Sequence, residues 1–388
     1  MSRAMRVTDG VLRGRGWRLA RALPWVLVTA VSLSGRCMSA TPGQMVIERQ
    51  VVLSPGHYVG PYRVIRASNG DLIAFGSNSE MGFRPWATRV SARGEIRWEY
   101  VAGGPNGWED RSVQGQKYVD VLELPDQTTL LCGIKDPVGK DPKVWLDRLA
   151  LDGSLIEEHL ISLGTETEKI GVIRCFNWQN TITIMGTVGH IRFATGFLAQ
   201  LDEHFNVRSQ KLGNQYATDE ILLAADGGLY LLNRLLDFPT LGNAYLLKLG
   251  ADGQIIARQP LVERELPSLV HPVASRTDVR VVYRAAGPEI VTFDAQLRPI
   301  GTFKLRDAGV RSCVELPDGS TVIFGSQFRN EAFAAATWVD PKGNYKGFMV
   351  HPPEPGFYYD AVATGSGNEF AATRLAGIQA VLEWVVFK

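Results

Sequence analysis

The chain is short of cysteine, of net charge and of long apolar runs, and each shortage closes off a class of protein. Four cysteines in 388 residues cannot build the dense disulfide framework of a small secreted scaffold. Lys and Arg total 41 against 40 Asp and Glu, a formal charge of +1. The chain therefore lacks the basic excess that neutralises a nucleic-acid backbone, and no nucleic-acid partner is expected. The apolar run Ala22–Gly35 is 14 residues long, short of the ~20 that a spanning helix needs. Catalytic signatures are missing too. There is no Gly-x-x-x-x-Gly-Lys loop, no His-Glu-x-x-His and no Cys-x-x-Cys. The six histidines stand one at a time, and the Asp-Gly turns carry too few acids for a calcium loop. No cofactor, metal site or catalytic residue is expected.

What is present begins with an address. Residues 1–21 hold Arg3, Arg6, Arg13, Arg15, Arg18 and Arg21 with one acid, Asp9. The apolar run follows, then small residues up to Ala40. A basic segment, an apolar segment and a small-residue exit read as a secretory signal over 1–40, with cleavage near Ala40. An uncleaved N-terminal anchor is the alternative. Leu33-Ser34-Gly35-Arg36-Cys37 resembles a bacterial lipobox with Arg36 where a small residue belongs, so lipidation at Cys37 is a third option. Membrane contact is expected only through this segment, and the location is periplasmic or secreted. Removing 1–40 takes away seven Arg and one acid, leaving 34 basic against 39 acidic residues, formally −5. Cys132, Cys175 and Cys313 each sit in an apolar run and read as buried structural thiols. A Cys132–Cys175 bridge is left open.

The body, 41–388, reads as one repeating domain. A tight turn between two apolar strands recurs at Asn69-Gly70, Pro125-Asp126, Gln179-Asn180, Asp226-Gly227, Thr277-Asp278, Asp318-Gly319 and Gly367-Asn368. From Asn69 to Gly367 is 298 residues over six intervals, about 50 each. A second turn recurs at Gly94, Gly153, Asp202, Gly253, Gln296 and Gly343, and the last repeat lacks it. Four strands at this period predict an all-β, seven-bladed β-propeller. The unassigned strand 45–53 would complete the last blade and close the ring. Ser91-Ala92-Arg93-Gly94-Glu95-Ile96-Arg97-Trp98 resembles the Gly-x-x-x-Trp turn of PQQ-type blades. Leu149–Gly153 and Leu249–Gly253 resemble it without the Trp. The blades are therefore similar to those of the PQQ-like and WD-like propeller superfamily, which implies a fold rather than an activity.

Two candidate sites follow. Residues equidistant from a hairpin turn face each other. Counting outwards pairs Asp120 with Lys135, Asp219 with Arg234 and Asp360 with Arg374. Each acid lies in the first strand of its repeat, which lines the channel. With Arg284 and Arg311 at nearby levels, they form a charged channel mouth for a polar ligand. The second site is the loop-rich face of blades one, six and seven. Phe83, Arg84, Trp86, Trp108, Arg111, Arg329, Tyr358 and Tyr359 cluster aromatics with arginine, the composition of interface hot spots. Residues 102–118 and 351–360 are expected to be two of those loops. Mutually satisfied salt bridges, and aromatics that cap the blade cores, are the alternatives. The leading expectation is an exported module that binds a protein partner in the cell envelope, as a scaffold or an immunity-type inhibitor. A small-ligand or carbohydrate binder, or an enzyme, at the channel mouth is the rival.

Overall fold

The computed structural model describes residues 44–53, 59–78, 84–103, 116–135, 142–163, 170–189, 195–233, 244–261, 267–270, 278–283, 289–305, 309–328, 332–365, 367–376 and 379–388. Of the sequence candidates, Phe83, Trp108, Arg111, Arg234, Arg284 and Arg329 lie outside them, as does the side chain of Asp219.

Each repeat folds as an up-and-down meander of four antiparallel strands. Blade one runs Val59–Arg66, Leu72–Asn78, Arg84–Val90 and Ile96–Val101 in spatial order. Seven such blades stand around an axis, each innermost strand packed against the next blade's and the last against the first. The molecule is a seven-bladed propeller. Each sheet is covered on both faces by its neighbours, so middle strands are buried outright. Every residue of Arg84–Val90 is buried, whereas the outer strand Ile255–Leu261 of blade four alternates with solvent.

Met45–Val52 pairs antiparallel with Gln379–Phe387, with Val46 opposite Val386. The Lys388 amide donates to the Gln44 carbonyl at 3.0 Å. The first strand of the body thus forms the outer strand of the last blade, as its sequence position suggests. Blades six and seven share one strand, Tyr345–Ala363. This corrects the expected loop at 351–360. Pro352 and Pro353 fall where the strand leaves the outer edge of blade six, and an edge strand there needs no inward N–H.

Blade joints differ from centre to rim. At the rim, a side chain of one outer strand rests on the next blade's turn. Trp98 covers Gly153 and Phe303 covers Gly343, so closely that a Cβ on either glycine would lie within 2.6 Å of the ring-bearing residue. Blades three and five invert the arrangement. There Phe205 (φ 60°) and Leu297 (φ 61°) take the glycine's place and are themselves buried against the preceding blade. Between blades two and three, Cys132 and Cys175 form a disulfide, while Cys313 is a buried cysteine outside it.

Candidate functional site

The channel wall consists of innermost strands, each with one edge that has no ladder partner. In six blades that strand carries a β-bulge near its start, at Pro61/Arg63, Tyr118/Asp120, Ile170/Ile173, Thr218/Glu220, Val310/Ser312 and Tyr358/Asp360. A glycine often faces it from the second strand. A Cβ on Gly76 would lie 2.0 Å from the Gly60 carbonyl oxygen, and one on Gly325 1.8 Å from that of Gly309. Only glycine admits so close a backbone.

The bulge aims a polar side chain at the neighbouring blade. Asp120 of blade two accepts the Cys175 amide of blade three at 3.2 Å. Asp360 of blade seven accepts the Val64 amide of blade one at 3.0 Å. Ser312 of blade six accepts the Ala361 amide at 3.3 Å and donates to Asp360 at 2.6 Å. Each acceptor satisfies an N–H that the strand edge would otherwise leave without a partner.

Arg63 bridges the two carboxylates. Its Nη1 lies 2.6 Å from Asp120 Oδ1 and its Nε 3.9 Å from Asp360 Oδ2. Asp120 raises the Arg63 pKa above the ordinary arginine value. Burial opposes the rise, and Asp360 and Glu220 add to it. Glu220 is thus felt at Arg63 from blade four. All these groups line a central cavity of about 740 Å³, together with Arg174 and Arg311.

At the channel end where the innermost strands begin lies an aromatic group. The Arg311 guanidinium stands 5.1 Å over the Phe357 ring, and Phe357 lies 4.7 Å from Tyr359. Tyr62 of blade one and Tyr359 both line the cavity, and the Tyr62 hydroxyl is hydrogen-bonded to Ser77 at 2.5 Å.

Three expected pairings are corrected. Asp120 faces Cys132, not Lys135, because the turn is centred near Asp126 and the register moves by three. Asp360 faces Thr373, and Arg374 faces Tyr358 across the bulge. Asp219 is the extra residue of its bulge, without a direct opposite. A slip of one residue sends a side chain to the other face of its strand. Lys135 accordingly leaves the channel, with its Nζ 2.9 Å from Glu158 and 4.9 Å from the Trp145 ring centre. Arg374 is fully buried inside blade seven, 2.8 Å from Glu383. The loop set changes as well. Arg84, Trp86 and Tyr358 are buried within their blades and offer no surface, and the Tyr358 hydroxyl donates to Glu383 at 2.8 Å. Asp120, Asp360, Arg311 and Tyr359 are brought together as channel groups, while Arg63, Arg174 and Glu220 are channel groups that hairpin counting passes over. Second-strand glycines mark two of these places, Gly76 beside Arg63 and Gly186 beside Arg174, whereas Glu220 has Leu232 opposite it.

A second buried polar cluster joins blades one and two. Asp147, fully buried, accepts Tyr100 Oη at 2.9 Å, Trp145 Nε1 at 2.8 Å and the Tyr118 hydroxyl. Burial pushes its pKa up to about 6, against the opposing hydrogen bonds from Tyr118 and Tyr100. Among the described residues, no group of three His, Cys, Asp or Glu is placed to hold a metal ion.

Against known proteins, no protein-family model and no curated protein sequence matches this chain. Solved structures do match in fold. A catalytically inactive variant of virginiamycin B lyase from Staphylococcus aureus, with quinupristin, superposes with a TM-score of 0.59 at 10% identity, covering 89% of this chain and 100% of that one. BBS1N in complex with ARL6DN gives 0.57 at 8% identity, covering 90% and 98%. The Dos1 propeller gives 0.52 at 10% identity, covering 85% and 78%. At such identities the likeness concerns the fold.

Proposed function

We propose that this protein is an exported binding module that recognises a protein partner of the cell envelope at the channel mouth of blades six, seven and one. The observation that carries this reading is the group Arg311, Phe357, Tyr359 and Tyr62 at the rim of a charged cavity. Tyrosine and arginine dominate interface hot spots because they offer large, stiff contact area with a polar tip. That a propeller of the same fold, BBS1N, is in complex with ARL6DN supports the class of partner. Export of a single mature domain, 41–388, is supported by the basic and apolar residues 1–35 and by the Cys132–Cys175 disulfide, a bond at home in oxidising compartments. Kinship with PQQ-like and WD-like blades is supported by Trp98 of the Gly94–Trp98 turn, which packs on the next blade's Gly153.

The test is affinity capture from envelope extract of the native host. A stoichiometric protein partner should be retained by the wild type and lost from a Phe357→Ala, Tyr359→Ala double variant that melts at an unchanged temperature. Capture that survives the double substitution, or no partner at all, overturns the reading.

A further inference from the structure

Blade two differs from the other six at its outer edge. An outermost strand has one side without a ladder partner, and such an edge recruits other strands unless charged side chains, lysine above all, or proline guard it. Arg97, Arg208, Pro260, Lys304, Lys346 and Arg49 stand in the outer strands of blades one, three, four, five, six and seven. Leu155–Ile161, the outer strand of blade two, has no lysine, arginine or proline. Its two acids are balanced by bases of the same sheet. Glu157 lies 2.8 Å from Arg148 and 3.0 Å from His159 Nε2, and Glu158 lies 2.9 Å from Lys135. On either side of them Ile156 is 50% exposed and Leu160 42%. We propose that this edge pairs with the same edge of a second copy of the chain, antiparallel and centred on Glu158.

The second copy is chosen because the strand is close to a palindrome, Ile156-Glu157-Glu158-His159-Leu160. In the stated register Ile156 stands opposite the partner's Leu160, and Glu157 opposite the partner's His159. Each pairing occurs twice about the two-fold axis, as a self-complementary contact requires. Apolar residues meet at both ends and an acid meets an imidazole between them, the kinds of cross-strand pair that stabilise an antiparallel ladder. Like groups meet only at Glu158, where Lys135 accompanies each carboxylate. Moving one strand by two residues sets Glu158 against Ile156 or Leu160 and forfeits the match. Ile156 is the extra residue of a bulge that five other blades repeat at the same turn, and residues 157–161 run on in unbroken register. The proposal concerns the rim of blade two and does not need the channel-mouth reading.

Sedimentation equilibrium of the purified protein tests it. A contact of one strand's length should give a dimer with a dissociation constant of about 10–100 µM. Leu160→Lys should raise that constant at least about tenfold at an unchanged melting temperature, because it sets an ammonium against the partner's Ile156 from an exposed position. Glu158→Cys should form a 158–158 disulfide between copies on mild oxidation, located by peptide mass spectrometry, because directly opposed residues have Cβ atoms ~4.5–5.5 Å apart. A chain that stays monomeric at about 500 µM, a dimer indifferent to Leu160→Lys, or a dimer whose Glu158→Cys variant does not link at 158 would each overturn the proposal. If Glu158→Cys fails to fold, wild type against Leu160→Lys still decides. The Phe357→Ala, Tyr359→Ala variant should dimerise as the wild type does, so the failure of one reading is distinguishable from the failure of the other.

Discussion

The inner and outer rims of this ring are joined in different ways: side chains accept backbone amides at the centre, whereas at the rim side chains cover the next blade's turn or donate to its carbonyls. At the centre, blades meet through carboxylates and a hydroxyl that accept the next strand's amides, as with Asp120 and Cys175 or Asp360 and Val64. At the rim they meet through bulky side chains set over a turn, as with Trp98 and Gly153 or Leu297 beside blade four. The difference follows from what each place leaves unsatisfied. An innermost strand exposes backbone donors to a confined lumen, so polar acceptors are needed there. The rim turns have their own hydrogen bonds, so shape is matched at Gly153 and Gly343, and spare turn carbonyls take a side chain of the preceding blade, as Ala92 takes Arg49 at 2.6 Å and Gly253 takes Tyr216 at 3.1 Å. Chemistry that could bind a ligand is therefore concentrated where the backbone already demanded charge.

The largest expected effect lies at the centre. Asp120→Ala removes an acceptor from two amides and the close partner of Arg63. It should cost about 3 kcal/mol in urea unfolding. A loss below about 1 kcal/mol would mean that water replaces the carboxylate and that the inner joints are not polar in the sense described. At the rim, Gly153→Ala should cost about 2 kcal/mol, since its φ is +84° and Trp98 blocks the new methyl. Gly227→Ala, at φ +80° with nothing within 4 Å, isolates the backbone cost at about 1 kcal/mol. Equal losses in the two variants would remove steric packing from the account of the outer joint.

A further effect concerns Asp147, a carboxyl buried at the joint of blades one and two. Its folded pKa, about 6, stands above the unfolded carboxylate value of ~3.9. The folded state therefore holds a proton that the unfolded state releases between these values. Stability from this group grows as pH falls through about 6 towards 4 and is lost as pH rises again. Wild type minus Asp147→Asn should thus gain about 1–2 kcal/mol from pH 7 to 4.5, a comparison in which the other carboxylates cancel. A difference that stays flat with pH would place the proton elsewhere.

The architecture was legible because turns repeat. Asn69-Gly70, Asp226-Gly227 and Asp318-Gly319 need little more than their own backbone chemistry, and they count blades directly. Side-chain direction was less legible. The bulges are made by close backbone contacts between strands, and a hairpin count from the sequence passes over them. That is why Arg374, placed by counting at the mouth, is buried against Glu383. It is also why Tyr358 and its neighbour Tyr359 part company, one in the blade core and one on the cavity wall. The prolines of 351–355 suggested a loop because their tolerance at a sheet edge depends on which strand lies outermost, a tertiary fact.

Pairing Met45–Val52 with Gln379–Phe387 also has a kinetic meaning. These segments are separated by more than 300 residues of intervening chain, so their meeting is among the most non-local events available to the polypeptide. During synthesis the early strand waits, with its edge open, until the late one has emerged. Closure then comes last and locks every blade at once. A chain delayed at that step is a horseshoe with two sticky ends, the form most open to capture by a chaperone or by a second unclosed copy.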